Sequence, residues 1–168
     1  MTPTPNNWLS PKTLVAFHEA GHVVAAQHFG YTVGNVDIRQ AAGPLILGQP
    51  QYEGCCGILR CGHSRTDLRI VGVAGEVAEF LALGWDDWQA LDVGSFGPTD
   101  RRDLSPESLP RAIARAVEIL TVRWQLVRDI AELLESDGAL APHVIAGLWR
   151  CELVKDFLAE KRLTGGAE

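Results

Sequence analysis

The stretch KTLVAFHEAGHVVAAQHF, running from Lys12 to Phe29, decides how this chain is read. Ser10-Pro11 stands just ahead of it as an N-cap followed by proline at the first helical position, and Gly30 supplies a stop. Leu14, Phe17, Val24 and Ala25 fall at helical spacing, so a helix with one apolar face is predicted from Lys12 to Phe29. Inside it lies His18-Glu19-Ala20-Gly21-His22, an HExxH sequence. Residues four apart share one face of a helix, so both imidazoles reach a single metal ion. Glu19 sits one step round, where it meets a water on that ion rather than the ion itself. Zinc held by three protein ligands keeps a fourth position for water and lowers its pKa to about 7. Glu19 is then placed to take a proton as water attacks a carbonyl and to pass it to a leaving amine. Gly21 is expected to leave space beside that site. With only 5 histidines in the chain, a metal site explains this spacing better than accident does.

Two histidines do not complete a zinc site. The acidic and imidazole candidates for the third ligand are Glu76, Glu79, Asp86, Asp87, Asp92, Asp100, Asp103 and His63, and residue type alone leaves the choice open.

Beyond the helix, Tyr31 to Gln40 alternates Val36 and Ile38 with polar neighbours and reads as a strand. Gly43-Pro44 makes a turn, and Leu45 to Leu47 and Gly57 to Arg60 read as two further short strands. A second helix is expected from Asp67 to Leu83, with Thr66 as its cap, Gly84 at its end, and Leu68, Val71, Ala78 and Leu81 facing the core. Gly72 and Gly75 within it cost about 1 kcal/mol each relative to alanine, which implies close approach to another backbone. Gly84 to Leu104 has little periodicity. Ser105-Pro106 then opens a long helix ending near Gly138, with Pro110 in its first turns. Its apolar residues form two stripes. One is Ile113, Val117, Leu120, Trp124, Val127, Ala131 and Leu134; the other is Ile119, Val122, Leu126 and Leu133. So wide a face needs more than one neighbour. A last helix from Pro142 to about Arg162 covers one side of it as a helical hairpin.

The chain has 168 residues, the length of one domain, with residues 1–10 loosely held and the stretch 84–105 as a ligand-bearing loop. Hydrophobic residues make up 46% and charged residues 21%, as in soluble globular proteins. A formal net charge of -6 and a pI near 5.3 argue against a basic footprint for nucleic acid. The apolar runs, such as Val23 to Ala26, fall far short of a membrane helix. The first cation is Lys12 and no apolar core precedes it, so no secretory leader is expected and a cytoplasmic location is. Cys55, Cys56, Cys61 and Cys151 lack CxxC spacing and are read as thiols in a reducing compartment; Cys61-Gly62-His63 matches no standard zinc pattern. The fold class expected is α+β, mainly helical, with the HExxH helix beside a small sheet in a zincin-like arrangement and a C-terminal helical hairpin.

HEAGHVVAAQHFGYTVGNVDI, then RIVGVAGEVAEFLALG, then SFGPTDRRDL resemble the peptidase domain of the FtsH family of membrane-anchored, ATP-dependent zinc proteases. That family joins an HEAGH helix and a following GYTV-like strand to a GGRxAEE helix and an SND-type loop. The resemblance runs from about Lys12 to Leu104 and fits the C-terminal helices only loosely. It implies a zinc metalloendopeptidase, with His18 and His22 as metal ligands, Glu19 as general base, Asp100 as third ligand and Glu79 as a carboxylate that orients a ligand histidine. Asp103 stands next in line as ligand because the loop is respaced. The family's arginine is Glu76 here, and Trp85-Asp86-Asp87-Trp88 lengthens the segment before Asp100. No GxxxxGK[ST] phosphate loop and no membrane helix are present in this sequence. Short peptides or already unfolded segments are therefore the expected substrates, with a separate ATPase partner and self-association as further implications. The rival reading is a catalytically inactive metal-binding or interaction module of the same fold.

Overall fold

A computed structural model describes residues 9–46, 48–59 and 64–164, with side chains described as far as residue 156. Its elements are α1 (Pro11–His28), β1 (Thr32–Gln40), β2 (Tyr52–Leu59), α2 (Arg65–Leu83), α3 (Leu109–Val122), α4 (Trp124–Asp137), β3 (Ala139–Leu140) and α5 (Pro142–Thr164). The chain is mainly helical with a three-stranded antiparallel sheet in the order β2-β1-β3.

Helix α1 begins as its sequence requires. The Ser10 side chain accepts a hydrogen bond from the Thr13 backbone N–H at 3.0 Å, and Pro11 occupies the first turn. Ala16, Ala20, Val24, Ala25 and Ala26 are fully buried, and α1 packs on α2, on α4 and on the sheet. Closest approach is to α2. A Cβ added at Gly21 would run into the Ala74 carbonyl oxygen and lie 2.8 Å from the Ala78 methyl. Gly21 thus serves helix–helix contact, and the space it leaves is filled by α2 rather than by the metal site.

Strand β1 carries a bulge. Val33 pairs with Ile58 and Val36 with Cys56, so two residues on β1 face one on β2. The extra residue resets the alternation and lets Val33, Val36 and Ile38 all turn inward. β2 begins at Tyr52, well before the expected Gly57, because its register with β1 extends to Gln40. Leu45 to Leu47 does not form a strand: Ile46 makes only an isolated bridge to Gln49, and Leu47 lies outside the described residues, as does Arg60. The two-residue β3 is too short to leave a periodic trace in sequence.

Several boundaries differ from expectation for local reasons. Ser64, not Thr66, caps α2 by accepting from the Asp67 N–H at 3.1 Å, while Gly84 closes it in the left-handed conformation (φ 70). The stretch after Gly84 is not structureless, holding short 3-10 turns at Trp88–Ala90, Val93–Ser95 and Asp100–Asp103. Residues 105–108 form a turn in which Ser105 and Ser108 bond reciprocally, and helix α3 starts only at Leu109 with Pro110 in its first turn. The long helix expected to Gly138 is two helices broken at Arg123, whose guanidinium pairs with Asp156 of α5 at 3.0 Å and lies over the Trp149 ring. The break divides the two apolar stripes between neighbours, since α3 packs on α2 and α4 on α1. Val122, at the break, is left 78% exposed and does not belong to the core. α5 then returns across α4 and β1 after the β3 connection.

Gly21→Ala should destabilise the protein by about 1–3 kcal/mol, the usual cost of overpacking a close contact, read as a lower urea midpoint at unchanged slope.

Candidate metal centre

His18 and His22 lie one turn apart on α1 and face α2. A Cβ at Gly75 would fall 2.6 Å from His18 Nε2 and 2.7 Å from His22 Nε2, so glycine is required for both rings to sit there. A Cβ at Gly72 would collide with the Asp100 carbonyl oxygen, so the second glycine admits the loop that carries Asp100. That loop is further held by buried Phe96, by Trp88 stacked on Phe80, and by Arg69, whose Nε donates to the Asp103 carbonyl at 2.7 Å.

The three side chains converge. His18 Nε2 and His22 Nε2 are 3.0 Å apart; Asp100 oxygens lie 3.8 Å from the first and 3.6 Å from the second. Among the described residues this is the group of three whose ligand atoms all fall within 4.8 Å of one another. Ligand atoms around a tetrahedral zinc are about 3.4 Å apart, given bond lengths of about 2.0–2.2 Å. The triangle observed brackets that spacing.

Hydrogen bonding fixes which nitrogens face inward. His22 Nδ1 lies 2.7 Å from the Val71 carbonyl, which can only accept, so Nδ1 carries the hydrogen. His18 Nδ1 donates likewise to Glu79 Oε1 at 2.7 Å. Both neutral rings then point an Nε2 lone pair at the other. Two lone pairs at 3.0 Å repel unless a cation, proton or metal, lies between them. Burial disfavours the His18 cation, yet the contacts with Asp100 and Glu79 and the charge of Glu76 outweigh it and raise its pKa well above 6.5. The donor set, the tautomers and the spacing all fit a divalent ion.

Glu19 is 5% exposed and its carboxyl packs against the backbone of Gly54 on β2, where a Cβ would clash with it. Burial, with repulsion from Asp100, Asp37 and Glu79 and against the attraction of His18, pushes it up from 4.5 to about 7. Glu76 is also pushed up to about 7, first by burial, with His18 and its own backbone opposing and Asp100 and Glu79 adding to the rise. Its Oε2 is buried without a hydrogen-bond partner.

A cavity of about 450 Å³ opens over the centre, bounded by α1, α2, β2 and the Asp100 loop. Of the other ligand candidates, Asp92 caps the turn at Ser95, Asp86 and Asp87 are exposed, and Asp103 offers its backbone to Arg69. Glu79 engages His18 from behind, and Cys61 and His63 lie outside the described residues. Sequence reasoning missed the Val71 carbonyl and Gly54, both backbone contributions. It also missed that Cys55 and Cys56 line the cavity, the Cys56 thiol pushed up by burial.

No family model matches the chain. No curated protein matches it either.

Two outcomes follow for the isolated protein. Gly75→Ala should lower metal affinity by about tenfold or more while leaving every ligand in place, measured by competition with a chromophoric chelator. In the metal-free protein, Glu19 and Glu76 keep protons up to about 7 that the unfolded chain releases near 4.5, and His18 keeps its own above 6.5. Stability from these groups is therefore full at acid pH and lost as pH rises through about 7. Melting temperature of the metal-free protein should fall from pH 5 to pH 8, and Glu19→Gln should flatten that fall.

Proposed function

We propose that the chain is a zinc-dependent metallopeptidase with a zincin-like arrangement, similar to the peptidase domain of the FtsH family, acting on short or unfolded polypeptides. The observation that carries this reading is the convergence of His18, His22 and Asp100 with the Glu19 carboxyl in one cavity. Bound by those three side chains, zinc would supply Lewis acidity to water and to the peptide carbonyl.

The chain's own residues then do the rest. Glu79 and the Val71 carbonyl hold the two imidazoles by Nδ1, so that both Nε2 atoms face the centre throughout. Glu19 receives the proton of the attacking water on its carboxylate and delivers it to the leaving amine nitrogen. In the metal-free protein, burial holds the Glu19 carboxyl up at about 7. With a divalent ion held by His18, His22 and Asp100, that value would fall, and the Glu19 carboxylate that accepts the proton would be favoured. The cavity is open to solvent-borne chains of modest size, and access for a folded substrate would call for a separate unfolding partner such as an ATPase.

Glu19→Gln should retain about one zinc per chain and lose peptide hydrolysis by about 10²-fold or more, whereas His22→Ala and Asp100→Ala should lose the metal. Elemental mass spectrometry with a quenched-fluorescent peptide library reads both. Equal cleavage by wild type and Glu19→Gln would overturn the peptidase reading. Retained zinc with no turnover in wild type would favour the inactive metal-binding module instead.

A further inference from the structure

Helix α2 meets the turn Asp100–Asp103, which carries the candidate third ligand, at both of its ends. Gly72 lies against the Asp100 carbonyl oxygen, where a Cβ would collide. Arg69, one turn earlier on the same face of the helix, donates from Nε to the Asp103 carbonyl at 2.7 Å. The two contacts differ in kind. A glycine against a carbonyl sets how near the turn comes but leaves it free to swing, because steric contact has no preferred direction. A hydrogen bond from a cation is directional and about twice as strong as a neutral one.

The turn's internal bonds do not orient it on α2. Asp100 and Arg101 donate from their backbone N–H groups to the Gly97 carbonyl, and Leu104 donates to that of Arg101, so all three bonds move with the loop. Buried Phe96 pins the loop upstream, yet between it and Asp100 stand Gly97, which has no side chain, and the exposed Pro98 and Thr99. Leu104 packs on the core just beyond the turn, an apolar contact that also lacks direction. Asp100 tolerates little swing. Its oxygens stand 3.8 Å from His18 Nε2 and 3.6 Å from His22 Nε2, and a carboxylate ligand must come within about 2.0–2.2 Å of zinc. A site about 1 Å too loose at a ligand fails although the residue is present.

We infer that Arg69 is a positioning residue of the metal centre: its guanidinium, by holding the Asp103 carbonyl, orients the turn so that the Asp100 carboxylate completes the set begun by His18 and His22. The inference rests on the metal site proposed above, but it is measurable without turnover. Arg69 touches neither the ion nor a substrate and acts through Asp100 alone.

The test is a double-mutant cycle on the full chain. Zinc affinity is measured by competition with a chromophoric chelator in wild type, Arg69→Met, Asp100→Ala and the double variant. Arg69→Met should lower affinity by about tenfold or more in the wild-type background. In the Asp100→Ala background the two imidazoles keep a weak residual affinity, read at higher zinc concentration, and the same substitution should change it by less than about twofold. With cobalt in place of zinc, the visible absorption bands of Arg69→Met should move towards those of Asp100→Ala. If Arg69→Met does not fold, Arg69→Ala takes its place. Unchanged affinity in Arg69→Met, or an equal loss in both backgrounds, would overturn the inference and leave the metallopeptidase reading standing. Wild type that binds no zinc would overturn both. The expected cycle with no peptide cleavage by wild type would uphold the positioning role and defeat the peptidase reading.

Discussion

The contact between α1 and α2 is the constraint on which the rest depends. Two helices can bring backbones this near only where Cβ atoms are absent or small, and Gly21 against Ala74 and Ala78 meets that condition. The same closeness sets the candidate metal centre. Gly75 leaves room for two imidazoles between the helices, and Gly72, one turn earlier, lets the Asp100 backbone lie against α2. Two glycines in a helix interior weaken it intrinsically, by about 1 kcal/mol each. That cost is offset by the packing of Val71, Val73, Ala74, Val77 and Ala78, which are nearly or wholly buried. A larger residue at Gly75 or Gly72 would press on the imidazoles or the Asp100 backbone, whereas one at Gly21 would press on the helix–helix contact.

How much of this could be read in advance depended on where the determinants lie along the chain. His18, Glu19 and His22 share little more than one helical turn, so their common face follows from helix geometry alone. The α1 start at Ser10-Pro11 and the α2 end at Gly84 were equally legible, because caps are local chemistry. Gly72 and Gly75 signalled a close approach, but their spacing could not say what approached. Asp100 lies in a loop with no periodicity, and only resemblance to a family pattern singled it out from the other acids. The Val71 carbonyl was invisible for a different reason: every residue has one, and only tertiary structure aims it at His22. The break at Arg123 was hidden in the same way. No proline or glycine marks it, and the residue at the break engages Asp156 and Trp149 on a helix that comes later in the chain.

Electrostatics and stability pull against each other around the centre. Glu19 and Glu76 are buried beside Asp100 and Glu79, a grouping that folding by itself would not favour. The β1 bulge, the small-residue helix contact and the core under α4 carry the fold, while the acids cluster on the one side where a cation would compensate them. Local rules broken in one place and satisfied elsewhere are the usual mark of a functional site.

The two imidazoles are held by unlike partners, one a side chain and the other a helix carbonyl. This makes the centre unevenly open to change. No substitution can delete the Val71 carbonyl, so the orientation of His22 is tied to the integrity of α2 and varies only if the helix does. The basicity of His18, by contrast, can be adjusted through position 79 without touching the backbone. Of the two imidazole partners, then, only the one at position 79 is open to substitution, and it acts on His18.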